Sequence, residues 1–310
     1  MRRRRTNSGS AAPECEQENP RLPGWISAVA IGGTFVALVL LELRRPLRGK
    51  RTEPKLRRAV RNLAVAATSA AAIQLSDAPV RPLTRLVERR GWGLVKWLRL
   101  PRWLEVPVAM LLLDYTLYLW HVAFHKVPAL WRFHQVHHVD LDMDTSTAIR
   151  FHAGEMVLSV VLRTGQILLI GVSPLTMSIW NTWLLCEVMF HHSNVQLPYR
   201  LERWLSKLIV TPRMHGIHHS IVPEELNSNW SSGLTIWDWL HGTLTLNVPQ
   251  EQITIGVAAY RDPREVVLPR LMKMPFSREQ RDPSQLPKTH ELPTRSREFL
   301  LTQESTQLLA

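Results

Sequence analysis

The chain has 310 residues, a formal net charge of +12 and two cysteines, Cys15 and Cys186. The length permits one large domain or two small ones, while so few cysteines exclude a disulfide scaffold, a C-x-x-C redox pair and a thiolate zinc site. The excess of Lys and Arg comes without a nucleic-acid-binding motif and flanks apolar runs, as membrane borders do, so no nucleic-acid partner is expected.

Residues 1–24 are charged, contain Pro and Ser and lack periodicity, which predicts a disordered basic tail. Charged residues between the N-terminal Arg run and the first apolar segment argue against a cleavable leader. Residues 25–104 read as membrane helices and basic loops. Trp25 to Leu41 is uncharged and fits a membrane helix. Asn62 to Ser76, rich in Ala, Ser and Thr, is expected to be the next. Pro79 to Arg102 mixes Leu, Trp and Arg like an interfacial amphipathic segment. Trp25, Trp97, Trp103, Trp120 and Trp131 stand where apolar runs meet charge, as suits a ring with one polar N–H at the headgroup level.

Residues 105–247 are expected to form the catalytic domain. Val106 to Phe124 is an apolar run that delivers His121 and His125 at its end. Thr164 to Cys186 carries no charge and is interrupted at Gly171 to Pro174, so Met156–Val172 and Leu175–Phe190 are predicted to form a helical hairpin. Leu201 to Ile209 is a short helix, and Asn227 to Thr245 is irregular. Residues 248–310 read as a polar, disordered C-terminal tail. The fold class is all-α: an integral-membrane helical bundle with a histidine-rich dimetal site in a cytoplasmic-side helical cap.

Twelve of the thirteen histidines lie between His121 and His241. His121 and His125 form H-x-x-x-H; His134, His137 and His138 form H-x-x-H-H; His215, His218 and His219 repeat it. Residues three and four apart share a helix face, so each group aims its imidazoles at a common point. Imidazole is the commonest protein ligand for zinc, copper, iron and nickel, and burying so many polar rings without a partner is costly. Eight or nine imidazoles exceed the needs of one ion and suit two. A haem pair needs only four widely spaced histidines. The H-E-x-x-H zinc-protease motif and the Glu-x-x-His pairs of soluble ferritin-like sites are both missing.

The order of the three groups resembles the fatty acid hydroxylase and sterol desaturase superfamily of integral-membrane di-iron enzymes. Four blocks extend the likeness over about residues 114–243: TSTAIRFHAGE (Thr145 to Glu155), HSNVQLP (His192 to Pro198), TPRMHGIHHS (Thr211 to Ser220) and SNWSSGLTIWDWLHGT (Ser228 to Thr243). The resemblance implies two irons held by His121, His125, His134, His137, His138, His215, His218 and His219, with His192 as the additional ligand. His241 stands where an aromatic residue is expected and is not assigned as a ligand.

Asp114, two helical turns before His121, and Asp140, close after His138, are candidates to accept a hydrogen bond from a ligand histidine. His152 and Glu155 suit a helix cap as well as they suit the site. Of His191 and His192, only one is expected to bind, and Arg163 and Glu187 are placed to pair across the hairpin. The implied activity is O2-dependent hydroxylation or desaturation of a lipid, an acyl chain or a sterol-like molecule, taken from the bilayer. A dinucleotide loop, a flavin motif and a cysteine cluster are all lacking, so a separate electron donor is expected, a ferredoxin or a cytochrome with its reductase. A membrane metal-binding or transport protein using its histidine clusters, and an inactive member of the fold, are the alternatives. Lys and Arg between Arg44 and Arg61 outnumber those before Trp25, which puts that loop and the histidine groups of this multi-pass protein in the cytoplasm.

Overall fold

A computed structural model describes residues 21–49, 51–76, 78 and 80–283. The described residues are helical, with isolated β-bridges in place of strands. Helix α1 (Gly24–Arg44) packs on the second arm of the hairpin, and α2 (Lys55–Ser76) packs on the first. Two short helices, α3 (Arg81–Arg90) and α4 (Leu94–Trp97), precede the long α5 (Arg102–Lys126). Val127 is extended and Pro128 opens α6 (Pro128–His138), because proline is preformed for the first helical turn. This corner brings the ends of α5 and α6 together.

The hairpin follows. Its first arm, α7 (Ala153–Gln166), runs into a π-helical turn at Ile167–Gly171, and α8 (Pro174–His192) returns. Ser173 caps α8, its Oγ accepting from Thr176 N, and Pro174 stands at the first turn. Beyond it come α9 (Tyr199–Leu205), α10 (Pro212–His218), α11 (Pro223–Leu226), α12 (Ile236–Leu240) and α13 (Leu268–Lys273).

Among the described residues, three helices are long and apolar enough to cross a membrane: Gly24–Arg44, Arg102–Lys126 and Ala153–Gly171. Asn62 to Ser76 is not among them. It belongs to α2, whose buried face carries Arg58, Arg61 and Asn62, a set that suits contact with a polar cap rather than with hydrocarbon. Pro79–Arg102 is not one interfacial segment but two short helices, broken at Gly91 and Gly93, both with positive φ. Gly93 lies directly against the backbone of Gly171, which ties α3 and α4 to the hairpin turn. Lys96 completes the junction, donating to Glu88 and, at 2.6 Å, to Glu105.

The polar-tail expectation fails for residues 248–283. Val257, Ala259, Tyr260, Val266, Leu271 and Met274 form one core with Val136, Val139 and Leu141. Gly256 N donates to His219 O at 2.9 Å, so this segment braces the end of α10. Its apolar residues are scattered among Pro, Arg and Glu, which hides them from any periodicity test. Residues 1–20 and 284–310, with Cys15 and His290, lie outside the described residues.

Candidate metal centre

The two H-x-x-H-H helices exchange ligands. His134 and His138 of α6 join His121 and His125 of α5, while α6 sends His137 the other way. His215 of α10 and His219, the residue that caps it, join His137 and His192, while α10 sends His218 back. The common point expected for each motif divides in two: i+4 lies about 40° from i, whereas i+3 lies about 100° from i+4, so a single motif serves two centres. The result is a group of five (His121, His125, His134, His138, His218) and a group of four (His137, His192, His215, His219). Within each group the ligand atoms lie within 4.8 Å of one another. The groups adjoin, with the His138 and His219 rings stacked at 4.2 Å.

Outer nitrogens fix the tautomers, since a carbonyl or carboxylate must be met by an N–H. His121 Nδ1 donates to Trp230 O at 2.7 Å, and His134 Nδ1 to Glu155 Oε1 at 2.8 Å. His218 Nδ1 donates to Ser228 O and His192 Nδ1 to Val188 O, both at 2.8 Å. The Nε2 atoms of these neutral rings therefore carry bare lone pairs. His121 Nε2 and His134 Nε2 nevertheless face each other at 3.1 Å, and His138 Nε2 stands 3.2 Å from His134 Nε2. A proton on His134 would satisfy one of those neighbours and not both. A cation satisfies all three. Two nitrogens bound at about 2.1 Å and roughly 90° apart on one ion are themselves about 3.0 Å apart, which matches these spacings. The same holds in the other group, where His192 Nε2 lies 2.9 Å from His137 Nε2 and 3.0 Å from His215 Nε2. The residues fit a metal in each group.

Burial and crowding keep the rings in their ligating form. Burial first, then neighbouring histidines, push His137, His138, His215 and His219 well below the ordinary histidine value. Burial takes His218 down to about 3. These imidazoles are neutral at neutral pH, as metal binding requires.

The structure brings all nine sequence-predicted ligands together and separates other histidines from them. His152 caps α7, its Nδ1 accepting from Gly154 N at 2.9 Å. His241 stacks on Tyr118 at 5.0 Å. His191 is buried against His215 but belongs to neither group. Arg163 donates to Asn181 Oδ1 at 2.8 Å, while Glu187 Oε1 has no hydrogen-bond partner among the described residues.

Neither aspartate accepts from a cluster histidine. Asp114 Oδ2 accepts from Leu234 N at 2.9 Å and Trp237 Nε1 at 2.7 Å, tying the 228–243 loop to α5. Asp140 is the hub of a buried polar network, accepting from Arg58 and Asn62 at 2.9 Å and from Thr147 at 3.0 Å, with Arg150 at 3.4 Å. Both position the elements that carry the ligands, which spacing along one helix could not show, because Leu234 and Trp237 on Asp114, and Arg58 and Asn62 on Asp140, lie more than seventy residues away in sequence.

Three further residues act as positioning residues, of which sequence reasoning weighed only Glu155, as a helix cap or a site residue. Glu155 takes the histidine contact expected of the aspartates. Asp238 accepts from Trp230 N at 2.9 Å and Ser231 N at 3.0 Å, aligning the carbonyl that holds His121. Glu42, buried at the end of α1, accepts from Thr145 N at 2.7 Å and Asn194 N at 2.9 Å, and so fixes the chain just after His192. The quoted blocks contain Glu155 and Asp238; for Glu42 the only signal is an acid at the end of an apolar run.

A family model described as fatty acid hydroxylase matches residues 106–243, the stretch that carries every one of the nine histidines. Over that stretch the chain is similar to the fatty acid hydroxylase family. It is 31% identical over 159 residues to ornithine lipid hydroxylase OlsE of Rhizobium tropici, covering 51% of this chain and 46% of that protein. It is 30% identical over 175 residues to human cholesterol 25-hydroxylase (50% and 61%), and 32% over 136 residues to alkylglycerol monooxygenase of Danio rerio (44% and 29%). The chain thus matches less than two thirds of the length of each of these curated relatives. No solved structure matches it.

Proposed function

We propose that this fatty acid hydroxylase-like chain is a membrane-embedded, O2-dependent oxidoreductase that hydroxylates a lipid, with one iron in each histidine group. The observation that carries the reading is the facing of bare Nε2 lone pairs, His121 against His134 at 3.1 Å, inside a family-matched domain. Relatives named as hydroxylases or monooxygenases of ornithine lipid, cholesterol and alkylglycerol support lipid hydroxylation over desaturation.

His121, His125, His134, His138 and His218 hold one ion; His137, His192, His215 and His219 hold the other. Iron bound there supplies the redox chemistry by which O2 oxidises an unactivated C–H bond. The chain's own part is to hold the nine imidazoles together in buried surroundings and to fix the tautomers of His134, His121, His218 and His192 through Glu155 and the carbonyls of Trp230, Ser228 and Val188. Asp114 and Asp140 act through the loop and the helix they anchor.

The basic loop between Arg44 and Arg61 lies on the histidine side, with Arg48 N donating to Asn194 Oδ1 at 2.9 Å. Positive loops stay in the cytoplasm, so the centre of this multi-pass protein opens there, within reach of a separate ferredoxin or cytochrome donor. The test is metal analysis of detergent-purified protein, joined to lipid extracts from cells with and without the gene. About two irons per chain and a lipid that gains one oxygen are expected; a single zinc with unchanged lipids overturns the reading.

A further inference from the structure

Outside the three apolar spans, two adjacent helices wear their amphipathicity inside out. Along α9 and the turn that follows it, Leu201, Trp204 and Leu208 are 46%, 58% and 50% exposed, whereas Glu202 and Ser206 face inward. In α12, Ile236, Trp239 and Leu240 are 48%, 70% and 59% exposed, whereas Asp238 is wholly buried. A helix in water presents the opposite pattern. The two helices are joined by backbone pairing, Val210 N to Gly233 O at 3.0 Å and Thr235 N to Leu208 O at 3.1 Å, so their apolar residues belong to one region. Exposed Arg200, Arg203 and Lys207 stand beside the Leu201–Trp204–Leu208 stripe, at the same i, i+3, i+7 spacing one position away.

The depth of this region follows from its neighbour. Trp237 packs on Tyr115 of α5 at 4.8 Å, and its Nε1 donates to Asp114. Tyr115 lies about 16 Å back from the C-terminal end of α5 at 1.5 Å per residue, so the Trp237 side chain reaches inward from that end to the apolar stretch that fits a bilayer. The outer face of α12, the helix that carries Trp237, then borders lipid near that end.

We propose that α9 and α12 lie in the plane of the membrane as a second lipid contact, with Leu201, Trp204, Leu208, Ile236, Trp239 and Leu240 in the acyl boundary and Arg200, Arg203 and Lys207 on anionic headgroups. Tryptophan and basic residues together are the usual means of holding an in-plane segment at that level. This contact borders the loop whose Ser228 and Trp230 carbonyls hold His218 and His121. It places the bilayer surface beside the metal centre, so a lipid reaches it from the side. The proposal rests on α5 crossing the bilayer and on no oxidation chemistry, so its failure is distinguishable from failure of the enzymatic reading.

The experiment uses the full chain with Cys15→Ser and Cys186→Ser, carrying Trp204→Cys, Leu208→Cys or Trp239→Cys with a nitroxide label. Glu224→Cys, at an exposed polar site, is the reference. Each is reconstituted in phosphatidylcholine vesicles with or without phosphatidylserine. Labels at 204, 208 and 239 are expected to collide several-fold more with O2 than with a water-soluble nickel reagent, and the label at 224 to show the reverse. Arg200→Glu, Arg203→Glu and Lys207→Glu together should abolish the deepening that phosphatidylserine gives the label at 204. Labels as open to nickel as that at 224 overturn the proposal. Shielding that appears without lipid and grows with protein concentration also overturns it, since a second copy then covers the surface.

Discussion

Glu155 Oε1 accepts the Nδ1 proton of His134 at 2.8 Å, from the first turn of a different helix. A carboxylate behind a ligand imidazole raises its basicity and locks its orientation, and losing such a partner typically weakens metal binding about 10- to 100-fold. Glu155→Ala should lose metal to a competing chelator by that factor. Glu155→Gln keeps an acceptor and should lose less. Equal retention by Glu155→Ala and the parent protein contradicts this role.

Asp238 works one step further out. Its Oδ1 also accepts from the Thr243 hydroxyl at 2.6 Å, and Asp238→Ala strands the buried N–H donors of Trp230 and Ser231. Each stranded donor costs about 1–3 kcal/mol. The variant should melt at lower temperature and should lose metal first from the five-histidine group, because the Trp230 carbonyl on His121 moves. Selective loss reads as a metal content falling towards half of the parent value; equal loss from both groups argues for a purely global effect.

Asp140 carries the largest expected penalty. Burial pushes its carboxyl up, but Arg58, Arg150 and Arg61 reverse this and hold it below the usual carboxylate value. Removing one member of a buried ionic network leaves the others uncompensated, at a cost of about 3–5 kcal/mol. Asp140→Ala should therefore fail to accumulate as folded protein, as judged by size-exclusion profile in detergent. A variant with a normal profile and melting point rules out the hub assignment.

Gly93 tests the fold away from the metals. Its φ is +96°, and a Cβ there would run into the backbone of Gly171 and Ile170, which cannot move aside as a side-chain tip can. The strained φ alone costs about 1–3 kcal/mol, and the collision adds to it. Gly93→Ala should lower the melting temperature of the purified protein, whereas Gly165→Ala, open on all sides, should not.

What was legible in the sequence depended on range. The ligands could be found because H-x-x-x-H and H-x-x-H-H are local patterns, each read along one helix, and α5 and the hairpin because apolar runs are local too. The division of α6 between two groups is implicit in the same helical geometry, but which neighbour each face meets is set by the α5–α6 corner at Val127–Pro128 and by the seating of α10. Asp114 and Asp140 were sought as partners of histidines nearby in sequence. Their real partners, Trp237 and Arg58, are 123 and 82 residues away. Residues 248–283 escape a reading by periodicity because they pack largely as irregular chain, with α13 and single 3-10 turns too short to show a helical repeat.

The last prediction concerns acid. His137, His138, His215 and His219 are held well below the ordinary histidine value by burial, and His218 near 3. In the unfolded chain each titrates near 6.5, so below that pH the unfolded state binds protons that the folded state refuses. The folded pKa is depressed and the neutral form is the folded one. Stability of the metal-free protein is therefore level above about pH 6.5 and falls as the pH drops from there towards the folded values. Near pH 5 each such histidine costs about 2 kcal/mol. With metal bound the fall should begin at lower pH, because a proton must first displace the ion from the same nitrogens. Thermal melts of chelator-treated and metal-loaded protein across this range measure both effects. A metal-free form that is equally stable at pH 5 and pH 7 would falsify the buried, neutral state of the cluster.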